Sequence, residues 1–222
     1  MDTKITKQRI DNHLEYDWYK YLLILIAAIA VWILIFTMLN GTRQHEQINI
    51  FVSTVERNIG QTSDRLMQGF GDDTIREFGV TAVAPDTQGY RELLSTRGFV
   101  ASDILILPEH YLVGEQSLAF SFLEIDDELY YLFGQAVGGS IETLTDNHDI
   151  RRAVRVDGLA QANHLFLFNL IVDEYDNPIR HYMVISPSSV NLGERSTARG
   201  ARYYNTQTID VAVLLLRMFA GG

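Results

Sequence analysis

None of the 222 residues is a cysteine. That absence excludes disulfides, thiolate nucleophiles, cysteine-based zinc sites and thiol-linked lipid anchors together. Lysine is nearly as scarce: Lys4, Lys7 and Lys20 are all of it, and beyond position 20 the fixed positive charges are arginines only. Asp and Glu outnumber them there, so the formal net charge of −10 belongs to the part of the chain after residue 40. An acidic region of this kind gives no electrostatic help toward nucleic acid or anionic lipid headgroups, and neither is expected as a partner.

Against these absences stands one apolar run, Leu22 to Leu39, in which Thr37 is the single polar residue and which no proline or charge breaks. Spanning a bilayer takes roughly 20 apolar residues at about 1.5 Å rise each, and the backbone amides inside it must pair within the segment, so the run predicts a transmembrane helix. Trp18, Tyr19 and Tyr21 precede it, where aromatic rings favour the headgroup level. Lys4, Lys7, Arg9 and Lys20 lie before the run and Arg43 alone lies just after it, which predicts a cytoplasmic N-terminus and an extracytoplasmic remainder. A cleaved signal peptide is the competing expectation. It fits less well, because the apolar core is longer than about 7 to 15 residues and no Ala-x-Ala site follows. The chain is thus expected at the cell membrane, with a cytoplasmic segment over 1–20, a span over 21–39, a linker over 40–47 and an extracytoplasmic domain over 48–222.

About 180 residues after the span suffice for one domain with a real core. Ile48 to Ser53 reads as a first strand, Ser63 to Phe78 as a helix with Gly69 and Gly71 as weak points, and Val80 to Ala84 as a second strand closed by Pro85. Gly89 to Thr96 reads as a short helix ended by Gly98. Ile104 to Leu107, apolar throughout, reads as a strand buried on both faces, followed by a helical turn from Glu109 to Gly114. This β-α-β-α-β order implies right-handed crossovers onto a mostly parallel sheet, an α/β fold. Phe122 to Ile125 reads as a short extended piece, and Tyr130 to Val137 as strand or loop. Leu165 to Val172 and His181 to Ser186 read as a late hairpin turning at Asp173 to Pro178, Asn191 to Asn205 as a polar loop carrying Arg195, Arg199 and Arg202, and Thr208 to Phe219 as a closing amphipathic helix.

Three stretches also carry a resemblance. Arg91 to Leu112 (RELLSTRGFVASDILILPEHYL) resembles the part of bacterial type 2 solute-binding proteins in which a helix leads into a buried strand and a covering turn. Tyr182 to Leu192 (YMVISPSSVNL) and the helix from Thr208 are similar to the closing strand and helix of such domains. Lys4 to Ile26 resembles the opening of uncharacterised membrane proteins of Gram-positive, clostridia-like bacteria. The resemblance implies a domain of roughly one lobe, since little chain separates Gly139 from Leu165 for a second. It implies a non-catalytic binding role, for a small solute or as accessory to an envelope transporter. The alternative is a docking or scaffold module of the envelope with no small-molecule ligand.

In open parallel sheets, ligands sit outside the carboxyl ends of the strands. That places the candidate ligand-binding residues at Ser53 and Thr54 after the first strand, Asp86 after the second, and Glu109 and His110 after the third, with ordinary loop ends as the plain alternative. No enzyme, cofactor or metal site is expected. Asp126-Asp127-Glu128 and the acidic cluster from Asp173 lack the spacing of a calcium loop. His110, His148 and His164 are scattered, and His181 with the serines at 186–189 has no nucleophile elbow around it.

Overall fold

The structure, a computed structural model, describes residues 18–40, 42–55, 59–71, 73–113, 121–173, 175–196 and 202–221. The chain divides into two compact units, 1–42 and 43–222. Helix α1, Trp18–Asn40, makes up the described part of the first. At about 1.5 Å per residue it is roughly 34 Å long, which matches a hydrocarbon core of about 30 Å. From Trp18 to Met38 it is apolar enough to cross a bilayer, and its side chains are exposed. Thr37, its one polar residue within the apolar run, turns its hydroxyl back onto the carbonyls of Ile33 and Leu34, each 2.9 Å away, and so presents no free donor. Most of the expected cytoplasmic segment, positions 1–17, lies outside the described residues.

The second unit is built on a six-stranded sheet in the order β2-β1-β3-β6-β5-β4. Strands β1 (Gln47–Val52), β2 (Glu77–Ala82) and β3 (Ile104–Pro108) are parallel, with β1 between the other two. Strand β6 (His181–Ile185) then pairs antiparallel with both β3 and β5 (Arg151–Arg155), and β5 with β4 (Thr143–Thr145). The sheet is therefore mixed rather than mostly parallel, with two parallel and three antiparallel pairings. Along β1 and β3 successive side chains go to opposite faces. Ile48, Ile50, Val52, Ile104 and Ile106 join one buried cluster, and Phe51, Leu105 and Leu107 join another. Burial on both faces explains why these strands read as apolar runs.

The two crossovers cover opposite faces. Helix α2 (Ile59–Gly69) links β1 to β2 and packs Leu66 into the first cluster, while α3 (Tyr90–Leu93), continued by a π-helical stretch over Leu94–Phe99, links β2 to β3 and puts Tyr90 and Leu94 into the second. Helix α4 (Asp127–Val137) and the C-terminal helix α6 (Gln207–Ala220) join α2 over the first face, through Phe133, Val211, Leu215 and Phe219.

Several expectations are corrected. The helix predicted over 63–78 ends at Gly69, and Phe78 belongs to β2; Phe70 and Phe78 meet edge to face at 5.6 Å because helix and strand contribute to one core. Tyr130 to Val137 is helical, for Asp126 caps it by accepting the Leu129 amide at 2.8 Å and Gly138 ends it at φ 73°. The predicted hairpin is absent as a strand pair. Its first arm forms the short helix α5 (Ala162–Leu165) and a 3-10 turn at Phe168–Leu170, what is left of its ladder is the bridge from Val172 to Pro178 with the Ile179 amide donating to Ile171 O at 2.9 Å, and both edges of β6 are taken by β3 and β5. Phe166 and Phe168 pack instead on Phe219, at 6.1 and 6.4 Å. An antiparallel pair does occur later, β7 (Gly193–Ser196) with β8 (Arg202–Asn205), in the stretch expected to be a loop; Arg199 lies outside the described residues. Leu123 and Ile125 donate their amides to Ile185 and Arg151, extended but not a strand.

Candidate functional site

Because β1 leads to β2 on one side and β3 returns on the other, the strand order reverses between β1 and β3, and a crevice is expected beyond their carboxyl ends. Ser53 and Thr54 stand there, both fully buried. The Ser53 amide donates to Ile106 O at 2.8 Å, which fixes the end of β1 on β3, and the Thr54 amide turns back to Val52 O at 3.1 Å. The Ser53 hydroxyl accepts from Tyr90 at 2.7 Å, and the Ser53 carbonyl lies 3.0 Å from Nε2 of His181. The Thr54 hydroxyl has no hydrogen-bond partner among the described residues.

Aromatic rings surround this turn. Tyr90 lies 6.3 Å from Phe51 and 5.6 Å from Tyr111, and Tyr111 lies 4.3 Å from His110. Burial pushes the Tyr90 phenol well above its ordinary range despite the opposing bond to Ser53, so it acts as a neutral donor. Burial also lowers the pKa of His110 and so favours its neutral ring. His181 opens β6 opposite Pro108, and its ring lies 4.7 Å from Phe168.

The five expected site residues are thus only partly brought together. Ser53 and Thr54 share the turn after β1. Glu109 and His110 begin the 3-10 turn after β3, with the Glu109 amide donating to Arg180 O at 2.8 Å. Asp86 stands one strand further out, exposed, in the turn after β2. Tyr90 and His181 complete the cluster and were not anticipated. Tyr90 gives a faint sequence signal as the first residue after a helix-entry glycine. His181 gives none, because its contact with Ser53 joins positions 128 apart.

At the opposite end of the sheet Asp103, buried before β3, accepts from the Asn49 amide at 2.8 Å and from Ser189 at 2.5 Å. The Ser189 hydroxyl also lies 2.8 Å from that of Thr208 at the start of α6. Since β6 runs from His181 to Ile185 between these ends, roughly 13 Å of strand separates the neighbourhoods of His181 and Ser189, too far for a nucleophile and its base.

The acidic stretches are engaged within the fold. Asp126 caps α4, Asp127 pairs with Arg151, and Asp173 accepts the amides of Tyr175 and Asn177 at 2.8 and 2.9 Å, bonds that lower its pKa. Glu174 lies outside the described residues. No group of three or more metal-ligating side chains occurs among the described residues. A cavity of about 610 Å³ lies between the N-terminal ends of α4 and α6, with Leu129, Leu132 and Ile209 as its floor and Glu124, Glu128 and Asp210 on its rim.

Comparison of the chain with protein families, with curated proteins and with solved structures returns no match.

Proposed function

We propose that this chain is a membrane-anchored, non-catalytic binding domain, held by α1 with its N-terminus in the cytoplasm, that takes a small polar solute beyond the carboxyl ends of β1 and β3, alone or as accessory to an envelope transporter. One observation carries this reading: the Thr54 hydroxyl is fully buried, and without a partner among the described residues, at the point where the strand order reverses. An unsatisfied buried hydroxyl costs about 1–3 kcal/mol, and a group left so in a folded chain calls for an explanation, which a ligand supplies. The resemblance of Arg91 to Leu112 to type 2 solute-binding proteins supports the same role, in a domain of roughly one lobe.

The test is thermal unfolding of the full chain in detergent against amino acids, sugars, peptides and polyamines. A solute at 100 times its dissociation constant adds about 2.7 kcal/mol to folding. Thr54→Val separates the site from the fold: it is expected to leave stability unchanged or up to about 1 kcal/mol higher, because it removes an unmet polar group, while abolishing the ligand-induced shift. A shift that survives Thr54→Val defeats this placement.

The acid-rimmed cavity between α4 and α6 favours a second reading, docking of an envelope protein through a basic, partly apolar surface. A screen in which no solute shifts a well-folded chain, with crosslinking in the native membrane capturing a partner at introduced photoreactive residues beside Leu132, would support it.

A further inference from the structure

His181 is fully buried, and both of its ring nitrogens face acceptors. Nδ1 lies 2.9 Å from the carbonyl of Ile179 and Nε2 lies 3.0 Å from the carbonyl of Ser53. A neutral imidazole carries one N–H, so it satisfies one carbonyl and turns a lone pair on the other, whereas the imidazolium donates to both. Turning the ring over would set carbons against both oxygens. We infer that His181 is a proton-operated latch on the Ser53–Thr54 turn: the imidazolium ties the end of β1 to β6, and loss of its proton gives up one of the two ties. With the solute site proposed above, on which this consequence rests, proton uptake at His181 and ordering of the binding turn favour each other.

The groups around the ring set the balance. Asp157, in the turn after β5, accepts the His181 backbone amide at 2.9 Å and favours the charged ring, but Arg155 holds that carboxylate at 3.1 Å. His110, after β3, opposes it. Arg180, just before β6, and Tyr182 flank it in sequence, with Arg180 engaged by Glu142 at 3.2 Å. Phe168, the ring's aromatic neighbour, and Phe219 behind it are uncharged, as are Ser53 and Thr54 at the end of β1. Burial is the largest influence and lowers the ring's pKa, with the two carbonyls and Asp157 pulling the other way, so the latch closes in acid. Global stability takes the opposite sign. A histidine with a depressed folded-state pKa contributes stability above its unfolded value that is lost as pH falls through the folded value, so acid tightens this turn while weakening the fold as a whole.

The experiment uses the full chain in micelles without ligand, so its failure is distinct from failure of the solute reading. Nitrogen NMR of 15N-histidine-labelled protein follows the six histidines with pH, His181 being assigned by its loss in His181→Gln. Hydrogen exchange of the peptide spanning Ser53 and Thr54, corrected for the intrinsic effect of pH, is followed in parallel. The expected result is an imidazolium with two slowly exchanging N–H groups in mild acid and, through the same transition, about fivefold greater protection of the turn. A ring that stays in one neutral tautomer down to acid unfolding overturns the inference, as does protection of the turn that does not follow the ring's titration. The wild-type titration decides both, so the inference stays testable if His181→Gln fails to fold and the assignment is made through Phe168→Leu, which perturbs the ring's neighbour.

Discussion

Asp103 illustrates how a single buried carboxyl reports on the folded state. Its burial raises its pKa, against the bonds from Ser189 and the Asn49 amide. A carboxyl with a raised folded-state pKa contributes stability that is complete below the unfolded value and is lost as pH rises through the folded value. The difference in urea midpoint between the wild type and Asp103→Asn should therefore shift against the wild type as pH rises from about 4 toward neutrality. Equal slopes for the two proteins would show that the carboxyl does not titrate there. Asp103→Ala strands the Asn49 amide, while the Ser189 hydroxyl keeps Thr208, and is expected to cost about 1–3 kcal/mol at the acid end of that range and less toward neutrality. At this scale the sequence was partly readable. The place of Ser53 and Thr54 at the end of β1 could be read because they follow a recognisable strand, a local signal. Tyr90, His181 and the partners of Asp103 could not, because their contacts are made by sheet register between distant segments.

Among the elements, those with their own punctuation were legible. Strands β1 and β3 show as apolar runs because both their faces are buried, and α6 shows by its periodicity and its glycine stop. Helix α4 had the same kind of signal in Asp126 before the apolar positions and Gly138 after them, a cap that the neighbouring acidic residues disguised as a calcium-like cluster. Asp126→Ala is expected to cost about 1 kcal/mol by loss of that cap, measured by denaturant unfolding. Strands β4 and β5 were illegible: β4 has three residues, and arginines occupy three of the five positions of β5. The hairpin expectation failed because local patterning names a β-prone run but not its partner, and Phe166 and Phe168 found a better one in α6. Packing between elements also leaves a test at Gly98 in the π-helical stretch. A Cβ there would stand 2.9 Å from Leu94 and 3.4 Å from Leu105, so Gly98→Ala should destabilise by about 1–3 kcal/mol. A neutral result would show that the Leu94 side chain moves aside freely.

The molecule as a whole invites a topological test that its composition makes clean. With no native cysteine, a single introduced thiol reports its own location. Gln88 is exposed in the turn between β2 and α3. Gln88→Cys on intact cells is expected to react with a membrane-impermeant maleimide, and labelling only after permeabilisation would reverse the proposed orientation. The order of the sheet carries a further consequence, for the time before the fold exists. Strand β3 can pair with β1 once both are made, but its other edge waits for His181–Ile185, so while residues 109–180 are synthesised the centre of the sheet is an open apolar edge. Closure is a late, long-range event, slow by its loop entropy, and a chain that stalls before β6 presents a sticky strand to its neighbours. The cost of that open edge falls on the unfinished chain and leaves no trace in the finished sheet.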